Sequence, residues 1–145
     1  MKAPDFRLLN QDNKEVSLKD YDKLVLYFYP KDNTPGCTIE GQQFTKYLPE
    51  FKKLGFVIVG VSADSVESHC KFIEKRDLKV ELLSDPDKEL INKFSVWQKK
   101  KFMGKEFMGI VRSTFIIVDG KVMHKWSPVK VKGHVEEVLE KVKEL

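Results

Sequence analysis

Pro30, Thr34 and Cys37 fall within the segment Tyr29-Pro30-Lys31-Asp32-Asn33-Thr34-Pro35-Gly36-Cys37-Thr38-Ile39-Glu40, and together they can outline a small pocket around a thiol. Pro35-Gly36 is a helix-start signal, which puts Cys37 in the first helical turn. Unpaired backbone N–H groups and the positive end of the helix dipole stabilise a thiolate there, and the thiolate is the nucleophilic form of cysteine. Thr34 can offer its hydroxyl to the sulfur or to an oxygen bound beside it. Pro30 can shield one side from water, so the pocket is oxyanion-like. The competing reading of Cys37 is an inert buried thiol. It is weakened by position, because Cys37 lies at the helix start and off the apolar stripe of Phe44, Tyr47, Leu48, Phe51 and Leu54.

The elements that must hold this segment are legible around it. Residues 24–29 form a continuous apolar run closed by Pro30, the pattern of a fully buried strand in a mostly parallel sheet. The loop after such a strand emerges at the carboxyl edge, where open α/β sheets place ligands. Gly55 ends the first helix, and residues 56–61 give a second buried strand, completing a β-α-β unit. Ser62 or Asp64 is the expected cap of a helix reaching to about Arg76, with Val66, Cys70 and Ile73 on its apolar face. A short strand over 81–84 follows, then a short helix over 85–94, then an irregular connection over 96–111. Residues 113–118 and 121–126 flank Asp119-Gly120, a hairpin signal, and an amphipathic helix over 133–145 closes the chain. Short apolar alternations between residues 5 and 21 predict an N-terminal hairpin. Periodicity alone gives an α/β fold with a single sheet.

The 145 residues fit one domain, 1–145, and 41% hydrophobic residues support a core without covalent staples. The net charge of +4 is mild and interleaved, and Lys99-Lys100-Lys101 is the one dense basic patch, so nucleic-acid binding is not expected. No apolar run reaches a membrane span and no hydrophobic leader opens the chain, so a cytoplasmic location is expected. Two cysteines in such a setting point to thiol chemistry more than to a disulfide framework. His69, His124 and His134 are scattered singly, with no spacing suited to a metal, and neither metal nor organic cofactor is expected. Trp97, Phe102 and Phe107 stand either as a collar around the pocket, as a partner surface, or as loop anchors.

Pro30-x-x-x-Thr34-x-x-Cys37 resembles the signature of the peroxiredoxins, and Pro35-Gly36-Cys37-Thr38-x-Glu40 is closer still to their bacterioferritin comigratory protein (peroxiredoxin Q) branch. The likeness runs from Ala3-Pro4-Asp5-Phe6 through Val61-Ser62-Ala63-Asp64-Ser65-Val66-Glu67-Ser68-His69 and Leu83-Ser84-Asp85-Pro86-Asp87 to Arg112-Ser113-Thr114-Phe115-Ile116-Ile117. It implies a thioredoxin-like fold with a central mixed sheet flanked by helices. It also implies a thiol peroxidase acting on hydrogen peroxide or organic hydroperoxides through a Cys37 sulfenic acid, regenerated by thioredoxin or a small thiol. Arg112, read by itself, is either a surface residue or one held for a charge; the resemblance gives it the task of holding the thiolate and polarising the peroxide. Glu40, one turn past Cys37, belongs either to the active-site shell or to the solvent-facing first turn. Where many members of the branch carry a resolving cysteine this chain has Gln42; others place it on the helix of Cys70, one turn further on, at Ile73. Cys70 is therefore either a resolving cysteine or a core residue. Branch members are often monomers, which is the expectation here, with a dimer as the alternative. Two other functions use the same thiol: a redox sensor that does not turn over, and a disulfide reductase. The latter is disfavoured because Thr34 occupies the place of the first cysteine in C-x-x-C.

Overall fold

The computed structural model describes residues 2–145. Strands β1 (Arg7–Asn10) and β2 (Glu15–Ser17) make the expected N-terminal hairpin, followed by a 3-10 turn, Leu18–Asp20. Strand β3 (Lys23–Phe28) leads through the Pro30–Thr34 loop into helix α1 (Pro35–Lys53). Then come β4 (Val57–Ser62), α2 (Val66–Arg76), β5 (Glu81–Ser84), α3 (Glu89–Lys93), β6 (Trp97–Phe102), β7 (Lys105–Ile110), β8 (Ser113–Val118), β9 (Lys121–Trp126) and α4 (His134–Lys143).

Seven strands form one sheet in the order β2-β1-β5-β4-β3-β8-β9. Only the β3-β4 and β4-β5 pairs are parallel; the strands on either side join antiparallel, so the sheet is mixed rather than mostly parallel. Alternation along the central strands sorts side chains into two cores. Val25, Tyr27, Tyr29, Ile58, Leu82 and Ile116 face α1, α2 and α4. Leu24, Leu26, Phe28, Val59, Val61 and Leu83 face α3 and the N-terminal segment. Helix α1 is pinned to the first core by Phe44, Leu48 and Phe51, with Tyr27 stacked on Phe44 at 4.6 Å between ring centroids. Its end is set by Gly55, at φ 81°, where Phe56 N–H reaches back to the Phe51 carbonyl.

Four local expectations are corrected. Helix α2 is capped by Ser65, whose hydroxyl accepts the Ser68 N–H, and not by Ser62 or Asp64. That phase turns His69, Phe72 and partly Ile73 inward, leaving Cys70 exposed instead of on the apolar face. Helix α3 starts at Glu89 because the Asp85 carboxylate takes the N–H groups of Glu89 and Ile91. Residues 96–111, expected to be irregular, form the two-stranded β6-β7 sheet around a Met103-Gly104 turn with φ of 51° and 79°. Most of that hairpin is exposed on both faces, so it lacks the alternation that marks a half-buried strand.

Candidate active site

Thr34 is the N-cap residue of α1 and Pro35 its first helical residue. The first intrahelical bond runs from Thr38 N–H to Thr34 O at 2.8 Å, so the Cys37 amide lies ahead of the helical ladder. Cys37 is buried, at 2% exposure, at the edge of the first core.

Arg112 arrives from the other end of the chain. In the antiparallel β3-β8 register Ser113 lies opposite Phe28, so the residue before Ser113 comes to the carboxyl end of β3, where α1 begins. Its Nη2 donates to Cys37 Sγ at 3.3 Å and its Nη1 to Glu40 Oε1 at 2.7 Å. Cys37 and Glu40 are three apart on α1 and share a face, and a planar guanidinium spans them as a fork. Burial works against the Arg112 charge, yet Glu40 and Cys37 outweigh it and raise its pKa above the ordinary value.

Glu40 is fully buried, which places it in the shell around the thiol and not on the solvent face. Burial pushes its carboxyl up to about 7, while the charge and hydrogen bond of Arg112 pull the other way; Oε2 has no hydrogen-bond partner among the described residues. A group whose folded pKa is raised stabilises the fold below its unfolded value of 4.5, and that stability is lost as pH rises through about 7. The loss is about 3 kcal/mol at 1.36 kcal/mol per pKa unit. Wild type is therefore expected to lose that much relative to Glu40→Gln between pH 5 and pH 8 in urea unfolding; parallel pH profiles for the two proteins would contradict it.

Gly36 makes room for the guanidinium. A Cβ there would lie 3.0 Å from Arg112 Nη2, tight enough to displace one arm of the fork. Gly36→Ala is expected to leave stability within about 1 kcal/mol, since alanine favours helix. It should slow peroxide oxidation of Cys37 by about tenfold in stopped-flow measurements, because small misplacements near reacting atoms are costly. An unchanged rate would show that the fork has slack.

The other expected residues sit less directly. Thr34 Oγ1 donates to the Lys31 carbonyl at 2.9 Å and is not directed at the sulfur. Pro30 is half-buried at the start of the same loop. Cys70 is exposed on α2, and both cysteines are free. Trp97 packs against the second core, while Phe102 and Phe107 are exposed and close no collar. Lys100, read from sequence only as surface charge, donates to the Ile110 carbonyl at 3.0 Å; burial lowers its pKa, Arg112 adding to the effect and Cys37 opposing it. Asp32 and His69 also escaped the sequence reading. The signal for His69 was its spacing of three from Phe72, which becomes an inward face once Ser65 is known to cap α2.

An arginine that divides its fork between a sulfur and a carboxylate suits a reaction in which negative charge gathers on sulfur and oxygen. With the mixed sheet and its flanking helices, it defines the class of thiol-dependent peroxidases of thioredoxin-like fold. Residues 1–125 match the AhpC/TSA family. Peroxiredoxin Bcp of Bacillus subtilis is 48% identical over 147 residues, covering 99% of this chain and 94% of that protein. Peroxiredoxin Bcp of Escherichia coli is 41% identical over 145 residues, covering 98% and 93%. Among solved structures, peroxiredoxin Q of Xanthomonas campestris superposes with a TM-score of 0.91 at 44% identity, covering 96% of this chain and 90% of that one. A bacterioferritin comigratory protein of the same organism, studied for alkyl peroxide reduction, gives a TM-score of 0.90 at 43% identity, with 96% and 90% covered. The chain belongs to the AhpC/TSA family, as a thiol-dependent peroxidase similar to the peroxiredoxin Bcp proteins.

Proposed function

We propose that Cys37 is the peroxidatic thiol of this enzyme, acting on hydrogen peroxide and organic hydroperoxides within one domain, 1–145, as a cytoplasmic monomer. The observation that carries the reading is the Arg112 fork, with Cys37 Sγ at 3.3 Å and Glu40 Oε1 at 2.7 Å. The Cys37 thiolate attacks the terminal peroxide oxygen, the S–O bond forms as the O–O bond breaks, and the departing oxygen takes a proton and leaves as water or alcohol. Sulfur is oxidised by two electrons to the sulfenic acid and the peroxide is reduced. Arg112 and the Cys37 backbone N–H stabilise the charge, Thr34 turns its hydroxyl from Lys31 toward the bound oxygen, and Pro30 shields the sulfenate. Glu40 orients the guanidinium.

In the regeneration step Cys70 attacks the sulfenic sulfur, water leaves, and the Cys37–Cys70 disulfide is reduced by thioredoxin or a small dithiol. Cys37 is buried and Cys70 exposed on a separate helix, so this bond requires local opening of α2. Intact mass after one equivalent of peroxide, without reductant, tests both parts. Loss of two hydrogens in wild type and gain of one oxygen in Cys70→Ser is the expected pair of results. Gain of oxygen in both would remove Cys70 from the cycle, and no change in either would overturn the assignment of Cys37.

A further inference from the structure

The loop that joins β3 to α1 is held mainly by side chains, and they converge on one buried carboxylate. Asp32, two residues after Pro30 and two before Thr34, is 7% exposed, and His69 on α2 is fully buried. Tyr29 Oη donates to Asp32 Oδ1 at 2.6 Å. Ser68 Oγ donates to Asp32 Oδ2 at 2.7 Å, and His69 Nδ1 lies 2.7 Å from the same oxygen. His69 Nε2 is 2.8 Å from the Leu83 carbonyl, which can only accept, so Nε2 carries a proton. Nδ1 and Oδ2 therefore share a short hydrogen bond, with His69 fully buried and Asp32 nearly so. The Asp32 N–H is taken in turn by Asp64 Oδ2 at 2.8 Å, and Asp64 is fixed by Ser62 Oγ at 2.7 Å. Next to it Asn33, in the left-handed region at φ 60°, accepts from Arg76 Nε at 2.8 Å. The loop is thus tied to the ends of β3 and β4, to Ser68, His69 and Arg76 of α2, and through His69 to β5, and none of these ties involves Arg112, Glu40 or Cys37.

We propose that Asp32 and His69 are a positioning pair for the peroxidase reaction: they clasp the Pro30–Thr34 loop to α2 and so fix the wall of the pocket against which Cys37 meets peroxide. The proposal rests on the peroxidase reading but not on the role of Cys70. The clasp is stiff because parting the pair gives up a short buried hydrogen bond and leaves His69 Nδ1 with only Tyr29 Oη, at 3.4 Å, beside it. His69 immediately precedes Cys70, so the same clasp restrains the helix that carries the exposed thiol. Releasing it frees the loop and α2 together.

The test uses the full chain in a Cys70→Ser reference, which removes disulfide formation from the readout. Single-turnover oxidation of Cys37 by hydrogen peroxide is expected to slow at least tenfold in His69→Gln, and amide exchange over residues 66–76 to quicken by a similar factor. Reduction of the sulfenic acid by dithiothreitol should stay within twofold, a split between half-reactions that a general loss of stability does not produce. Asp32→Asn should match His69→Gln, and the double variant should be no slower than the slower single variant. Ile91→Ala, in the other core, serves as a control for lost stability and should leave oxidation within twofold. An oxidation rate in His69→Gln within twofold of the reference, or multiplying effects in the double variant, overturns the clasp. Should His69→Gln not fold, Ser68→Ala removes one donor to Asp32 and is expected to slow oxidation about threefold; an unchanged rate overturns the proposal equally. A reference protein that does not react with peroxide overturns the peroxidase reading, and the clasp with it.

Discussion

Cys37→Ser is expected to abolish peroxide turnover, leaving only the background rate of peroxide with the added reductant. A serine hydroxyl fits the same space under Arg112 but does not ionise at neutral pH, so it supplies neither the nucleophile nor the sulfur that accepts oxygen. The fold should be little affected, because the substitution retains the volume of a side chain at the edge of the first core and leaves the Arg112–Glu40 pair in place. Peroxide consumption with thioredoxin or dithiothreitol as reductant is the measurement. Retained turnover in Cys37→Ser would move the chemistry to Cys70, the one other cysteine.

Arg112→Met is expected to slow the oxidation of Cys37 by about 10²–10³-fold, the usual consequence of removing one preorganised charge-stabilising donor. Arg112→Lys should recover only part of this, since a point charge cannot span Cys37 Sγ and Glu40 Oε1 as the guanidinium does. The stability effect has a different pH dependence from the rate effect. Without its cation the Glu40 carboxyl, already raised to about 7, rises further, so it takes a proton near neutral pH. Arg112→Met should therefore cost little stability at pH 5 and more at pH 8, while the rate is low at both. Stopped-flow oxidation combined with urea unfolding separates the two; a rate within twofold of wild type would remove Arg112 from the mechanism.

Glu40 and Arg112 also show where sequence reading stopped. One turn past Cys37, Glu40 could as well have faced water, because its position along α1 does not by itself say which face is buried. Arg112 before a buried strand was ambiguous from spacing alone, since charge at a strand end says nothing about its partner, and only the family resemblance assigned it to the thiolate. The antiparallel β3-β8 register resolved both, since it delivers Arg112 to the start of α1. Cys70 went the other way. Its spacing from Val66 and Ile73 suggested an apolar face, but the Ser65 cap sets a phase that turns His69 and Phe72 inward. The β6-β7 hairpin escaped because its strands bury almost nothing and so carry no pattern to read.

By itself the sequence determined the β-α-β unit, the helix that begins at Pro35-Gly36, the position of Cys37 in its first turn and the family resemblance. These are local matters: hydrophobic period, helix-start chemistry and a contiguous motif lie within a few residues of one another. Tertiary structure alone decided that Glu40 shares the guanidinium with the thiol, and what holds the loop. Arg112 and Glu40 are 72 positions apart, and Asp32 and His69 are 37 apart. Such pairs form only where strand register and helix phase bring distant segments together, and where burial makes an unpartnered charge too costly to leave alone.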